Sequence, residues 1–349
     1  MWAGSGWVAS CRRSRFFGGS RRSVFVRTLI LAPFDSRQLL RLRPHLELVH
    51  RSWFQTRKLI APDELSAELN SGGFAAVVVE ADFVLDETIE AADGLRLIGV
   101  CRGSTNAIDV ESATERGVLV VNTPGRNAQA VAEHALSLML ALARRVPLAH
   151  EYVRSGRWQN PMEPYVSMRG VELAGRTLGV VGMGAIGRRT ASIGAALGMM
   201  VLAYDPYVPC APKGVVLSGL EELMKRADFV SVHVPLTPET EGLLDGRMLS
   251  LMRETAFLVN CSDSAVVEQA PLVEALADRR IAGAAFDVFE TDSPLLALDN
   301  VVLSPHLGGA TQETVERHSR MMADDILRFL DGQRPVNLVN PDAWDLRAR

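Results

Sequence analysis

The sequence predicts an α/β protein of two domains, a doubly wound parallel sheet and a smaller α/β partner. Three observations lead there. Short apolar runs alternate with helix-like segments along nearly the whole chain, the pattern of parallel strands joined by crossover helices. A length of 349 residues is enough for two separate cores. Glycines spaced G-x-G-x-x-G stand between one apolar run and the helix-like segment that follows it.

In chain order, residues 1–23 differ from the rest. They carry Arg12, Arg13, Arg15, Arg21 and Arg22 among serines and glycines, with no acid. This reads as a disordered basic leader outside the fold. The same composition suits a transit peptide, so the expected location is cytoplasmic, with mitochondrial as the alternative. Apolar runs begin at Val24 and recur at 46–49, 75–79, 95–100 and 119–121. Helix-like pieces at 63–70, 86–93 and 109–116 separate them, with Pro62 before the first and Gly117 after the last, sensible helix punctuation. Residues 127 to about 152 read as one long helix, apolar around most of its circumference and so suited to an interdomain or intersubunit place. A loop over 156–173 leads on.

The stretch 177–207, TLGVVGMGAIGRRTASIGAALGMMVLAYDPY, organises the rest. Gly182 allows a tight turn out of a Val-rich strand, and Gly184 lets backbone approach a pyrophosphate. Gly187 lets helix and strand pack closely. Ala185 and Ile186 then begin a helix whose free N–H groups and positive dipole end suit phosphates. A second apolar run ends at Asp205, 18 residues past Gly187, where an acid can bind ribose hydroxyls. Asp205 is followed by Pro206 and Tyr207 rather than Arg, and its charge would repel a 2′-phosphate. The cofactor read from these residues is NAD.

Beyond Asp205 the alternation resumes, with helices at 219–227, 266–277 and 311–331. Strands are expected at 229–234, 256–260, 282–288 and 301–304. Ligands of open parallel sheets gather beyond the carboxyl ends of strands. That directs attention to His233, Pro235, Cys261, Asp263, Asp287, Asp292 and His306. A net charge of −4 leaves no footprint for nucleic acid, and no apolar run approaches the ~20 residues of a membrane span. The four cysteines lack metal-ligand spacing, so reduced thiols and no metal are expected.

At this point the chain resembles the D-isomer-specific 2-hydroxyacid dehydrogenases, with the D-3-phosphoglycerate dehydrogenase branch as a close relative. The marks are RGSTN from Arg102, NTPGRNAQAVAEH from Asn122, GMGAIG, VHVPLTPET from Val232, VNCS from Val259, AAFDVFE from Ala284 and SPHLGG from Ser304. The resemblance implies a Rossmann NAD domain over 126–308. It also implies a flavodoxin-like substrate domain formed from 24–125 and 309–340. A homodimer around the long helix and an active site in the cleft belong to the same picture, with a 2-hydroxy or 2-keto acid as substrate. His306 falls on the family's proton-shuttling histidine, suited by a pKa near working pH. Asp292 falls on its carboxylate partner, one methylene shorter than the family's Glu. His233, Pro235, Cys261, Asp287, His306 and Gly308 join the glycine loop and Asp205 around the cofactor. Arg102, Gly103, Ser104 and Arg126 fall in substrate-binding loops.

One position departs sharply. Where the family has Arg to grip the substrate carboxylate, this chain reads Asp263 within Asn260–Cys261–Ser262–Asp263–Ser264. Losing one charge-stabilising donor typically costs about 10²–10³ in rate. Three readings follow. One is a dehydrogenase that holds its acid through Arg102 or Arg126, or takes a neutral or cationic substrate. Another is an NAD(H)-binding sensor or interaction protein without catalysis. The third is S-adenosylmethionine on the glycine loop, which would leave the His306 loop unexplained.

Overall fold

The computed structural model describes residues 26–347, and the chain divides into two compact units. One contains 26–126 and 312–347, the other 127–311. The boundaries fall one and three residues beyond those read from the sequence, and the first shift has a local cause. The guanidinium of Arg126 is held by Glu80 and His318, both in the smaller unit. The basic leader lies outside the described residues.

The smaller unit is a sheet of β1 (Val26–Ile30), β2 (Leu46–His50), β3 (Ala76–Val79), β4 (Leu97–Val100) and β5 (Leu119–Val121). All pairs are parallel in the order β2-β1-β3-β4-β5, the flavodoxin-like order. Strands β3 to β5 are buried throughout, which is why they read as unbroken apolar runs rather than alternating ones. Pro62 starts the helix Pro62–Gly72, and the Asp109 carboxylate accepts the Ser112 N–H to cap Val110–Glu115. The C-terminal helix Gln312–Leu330 belongs here, burying Met322, Ala323 and Ile326 with Ile30, Val78 and Leu97. Gly99 in β4 permits this packing, because a Cβ there would lie 2.5 Å from the Met322 sulfur. Asn340 then closes the segment onto β5: its side chain accepts from Val120 N–H and donates to the Val118 carbonyl.

The larger unit has seven parallel strands: β6 (Thr177–Val181), β7 (Met200–Tyr204), β8 (Val215–Leu217), β9 (Phe229–Val232), β10 (Phe257–Asn260), β11 (Gly283–Phe286) and β12 (Val301–Leu303). Their order is β12-β11-β10-β9-β6-β7-β8, so the chain reverses direction across the sheet beside β6. Such a switch point is where open α/β sheets bind ligands. The core lies on both faces. Leu223, Met224 and Leu272 cover one side, and Ala135, Leu138, Met139 and Leu142 the other.

One expectation is corrected. The segment read as a single helix from 127 to about 152 is two, Ala128–Arg144 and Val146–Arg154, with Arg145 left-handed at φ 52°. The cause is Pro147, which has no N–H to give the Ala143 carbonyl in an unbroken helix. That carbonyl accepts from Val171 N–H at 2.9 Å instead. A Cβ on Gly170 would lie 2.3 Å from the same oxygen, so the returning strand of chain needs glycine there. Short helices Ser36–Leu42, Trp53–Thr56, Met162–Ser167, Gly246–Ser250 and Pro341–Arg347, and the edge strand β8, carried no sequence signal strong enough to be read. Among the described residues no helix is long and apolar enough to cross a membrane.

Candidate active site

The glycine loop connects β6 to the helix Ala185–Ala196. Gly182 adopts φ 94° against the next strand, where an added Cβ would meet the His233 carbonyl oxygen at 2.7 Å. At Gly187 a Cβ would lie 1.9 Å from the Gly182 oxygen, backbone on backbone. Gly184, at the helix N-cap, has nothing within 4 Å of its Cβ position. The first and third glycines are thus required by the protein itself, while the second leaves open space at a helix N-terminus. Ala185 is exposed and Ile186 half-buried at the start of that helix.

Asp205 follows β7 and is half-buried. One carboxylate oxygen accepts from Met183 N–H at 2.7 Å and the other from Tyr207 N–H at 2.9 Å. The acid is thereby tied to the glycine loop, and each oxygen keeps a lone pair for a further donor.

On the next strand ends the groups differ. His233 is buried, its Nε2 paired with Ser231 Oγ at 2.8 Å and its Nδ1 without a partner. Burial pulls its pKa down to about 4, so the ring is neutral near pH 7. Pro235 is exposed beyond it. Cys261 packs beside the core as a small hydrophobe. Burial, aided by the Asp287 charge, pushes its thiol up to about 12. Asp263 is exposed, and its carboxylate accepts from Ala265 N–H at 3.0 Å to cap the short 3-10 turn Ser264–Val266.

His306 sits on a loop made rigid from several directions. Its φ is 56°, a left-handed conformation rare outside glycine, though histidine tolerates it better than most residues. Its own N–H is shared between the Asp287 carbonyl at 2.7 Å and the Ser304 carbonyl at 3.0 Å. The Asp287 carboxylate, only 3% exposed, gathers the loop around it. It accepts from Ser304 Oγ at 2.6 Å and from the N–H groups of Leu307 and Gly308, both at 2.8 Å. His134, from helix Ala128–Arg144, completes the cluster with Nε2 at 2.8 Å from Ser304 Oγ and 3.2 Å from Asp287. A Cβ at Gly308 would lie 2.8 Å from the Asp287 oxygen, which excludes any larger residue without movement. The imidazole of His306 is exposed.

Asp292 is exposed on the loop after β11, and among the described residues it forms no hydrogen bond or ion pair with His306. The expected pairing is absent from this structure; the loop is held from within, through Ser293 to Gln269 and to Leu295 N–H, and leaves the Asp292 side chain in solvent.

In the smaller unit, Arg102, Gly103 and Ser104 are exposed after β4. Asn122 donates to the Gly103 carbonyl at 2.7 Å, and Thr123 N–H to that of Arg102 at 2.9 Å, so the loops after β4 and β5 brace each other. Arg126 is differently placed from the free cation expected of it. Its Nη2 lies 2.8 Å from Glu80, each side chain 11% exposed, and Nη1 donates to His318 Nδ1 at 2.9 Å. His318 Nε2 in turn donates to the Pro33 carbonyl at 2.7 Å, which sets its tautomer. Burial chiefly, with the Arg126 charge adding, draws the His318 pKa down to about 4. Glu80 and His318 carried no sequence signal. Each is one ordinary residue until the fold brings it to Arg126.

A family model described as the D-isomer specific 2-hydroxyacid dehydrogenase NAD binding domain matches residues 136–308. A glyoxylate reductase of Korarchaeum cryptofilum is 42% identical over 281 residues, spanning 78% of this chain and 84% of that one. The chain belongs to this family. A D-3-phosphoglycerate dehydrogenase of Methanocaldococcus jannaschii is 40% identical over 272 residues, covering 76% of this chain and 51% of the relative. The chain thus spans about half the length of that relative. A crystal structure from Thermus thermophilus superposes with a TM-score of 0.78 at 36% identity, covering 90% of this chain and 99% of that one.

For a family member the group to be held is NAD, and the residues present fit it. Gly184 leaves room where a side chain would intrude, the helix behind it offers free N–H groups, and Asp205 retains acceptor capacity on both oxygens.

Proposed function

We propose that this protein is an NAD-dependent oxidoreductase acting on a small 2-hydroxy or 2-keto acid. The observation that carries the reading is the His306 loop: an exposed histidine in left-handed backbone, clamped by a buried carboxylate at the end of the cofactor-binding sheet. Residues held in sparsely populated conformations persist where the surroundings over-determine them, and they concentrate at functional sites. The bound nicotinamide supplies hydride-transfer chemistry. The glycine loop and helix N-terminus hold the pyrophosphate, and Asp205 holds the adenosine ribose, favouring NAD over NADP by its charge. Pro235, Cys261 and Asp287 flank the cofactor, and the Asp287 carboxylate holds the His306 loop. His306 gives a proton to the substrate oxygen in reduction and takes it back in oxidation. Asp292 becomes its partner only if the exposed loop after β11 moves toward it.

The substrate carboxylate needs a cation, and Asp263 is not one. Its carboxylate caps its own turn, a role a guanidinium cannot take. Arg102 is exposed and free of any carboxylate within 4 Å among the described residues, so the anchor falls to it and to the N–H groups of Gly103 and Ser104. A homodimer is part of this reading. Leu140, Val146, Leu148, Val153, Trp158 and Tyr165 are exposed on and after the two helices that replace the long one, and sedimentation would register the assembly.

A second reading, an NAD(H)-binding sensor without turnover, is favoured by Asp263 and by the missing His306–Asp292 pair. NADH oxidation against a panel of 2-keto acids, beside NADH affinity by fluorescence, separates the two. Turnover lost in His306→Gln with NADH still bound supports the dehydrogenase. Tight binding with no turnover on any acid supports the sensor, and a gain of at least about 10²-fold in Asp263→Arg would mark a decayed site.

A further inference from the structure

Resting on the dehydrogenase reading, we infer that Glu80 sets the substrate charge: by neutralising Arg126 it restricts the site to acids bearing one negative charge, and disfavours a phosphate or second carboxylate. The inference comes from an inventory of charges at the strand ends where α/β sheets receive ligands. In the smaller unit the loops after β3, β4 and β5 hold two guanidiniums, Arg102 and Arg126. Arg126 is paired with Glu80 at 2.8 Å with both side chains largely buried, so the pair presents no net charge. His318 meets the same guanidinium as a neutral acceptor and adds none. A second carboxyl, Asp82, is buried two residues on, one oxygen accepting from Ile60 N–H and the other without a partner.

The remaining cations of this unit are committed or remote. Arg317, half-buried and with no carboxylate within 4 Å among the described residues, keeps its charge but turns its Nε to the Arg126 carbonyl at 2.6 Å and its Nη2 to the Thr314 hydroxyl. Arg37 and Arg41 pair with Glu316 and Asp324. Arg57 and Lys58 follow the edge strand β2, three strands from β4 and so roughly 14 Å away across the sheet. In the loops after β3, β4 and β5 one carboxylate therefore finds one free guanidinium, Arg102. A second negative group finds the Glu80–Arg126 pair or the buried Asp82. Like-charge juxtaposition is how sites reject near-relatives of their ligand.

The test is a comparison of kcat/KM for glyoxylate and pyruvate against 3-phosphohydroxypyruvate and oxaloacetate, at constant ionic strength. The wild-type enzyme is expected to favour the singly charged acids by at least about 30-fold. Glu80→Gln unmasks Arg126 and is expected to narrow that preference at least about 10-fold, through KM for the doubly charged acids and not through NADH affinity. Removing both charges in Glu80→Met with Arg126→Met preserves the wild-type preference, and serves if the single variant fails to fold. Equal or better turnover of the phosphorylated acid by the wild-type enzyme overturns the inference, as does an unchanged ratio in a folded Glu80→Gln. Absence of turnover on every acid, with NADH still bound, overturns the dehydrogenase reading instead.

Discussion

The two ends of the larger sheet carry loops built on opposite plans. Around β6 and β7 the loop is made by contiguous chain, glycines supplying close approach and Asp205 tying the strand end back to Met183. Around β11 and β12 it is assembled from afar, with His134, Asp287 and Ser304 converging beneath His306. Asp205 and Asp287 sharpen the contrast. Both follow strands and both accept backbone N–H groups. Asp205 is half-buried with one such bond per oxygen and is left able to serve a ligand. Asp287 is buried, 3% exposed, and all three of its donors belong to the His306 loop, so it serves the loop. A strand-end acid is assigned by its burial and by the donors around it, not by its position.

The largest effect is expected at the first end. Gly187→Ala forces a Cβ against the Gly182 carbonyl, so both the urea midpoint and NADH affinity should fall, the latter by about 100-fold or more, while Gly184→Ala, with open space in the protein itself, should leave the urea midpoint unchanged and lower NADH affinity by about 10-fold or more. An equal fall in the two urea midpoints would break the distinction between structural and ligand-facing glycines. At the other end, Asp287→Asn should lower kcat about 10²-fold by loosening the His306 loop, with NADH affinity changed less than about 5-fold. A loss confined to NADH affinity would make Asp287 a cofactor ligand after all. His134→Ala removes one hydrogen-bond partner of the same cluster and should lower kcat about 5- to 10-fold, with rescue by His134→Gln.

At neutral pH the smallest effect is that of pH itself, which acts on stability only below neutrality. Burial holds His233 in one unit and His318 in the other at pKa values of about 4, against the ordinary 6.5. Between those values the unfolded chain binds more protons than the folded one, so stability rises with pH there and is lost as pH falls from 6.5 toward 4. Urea midpoints across pH 4–8 should show this slope. A flat profile would mean that either ring takes its proton without unfolding.

Much of the fold was legible because its signals are local. Strands β5 and β7 appear at the residues where the apolar runs stand, since β5 throughout and β7 in its middle are buried and leave nothing polar to confuse the pattern. The helix through 127–152 misled because Pro147 follows a run of apolar residues that continues helical spacing on both sides. The break became visible only with the Ala143 carbonyl turned to Val171. Arg126 misled for a related reason, since Glu80 and His318 hold it. Position in a familiar pattern says which residue is present, not which neighbour has already claimed it.

By itself the sequence determined the family, the two parallel sheets and the glycine loop with its acid, because each depends on residues close together in the chain. The tertiary structure decided which charges remain free. Glu80 and Arg126 are 46 positions apart, and His134 and Ser304 are 170 apart. Hydrogen bonds and ion pairs act over about 3 Å of space. Only the folded sheets bring such groups within that distance, and so only they separate Arg102, which is free, from Arg126, which is not.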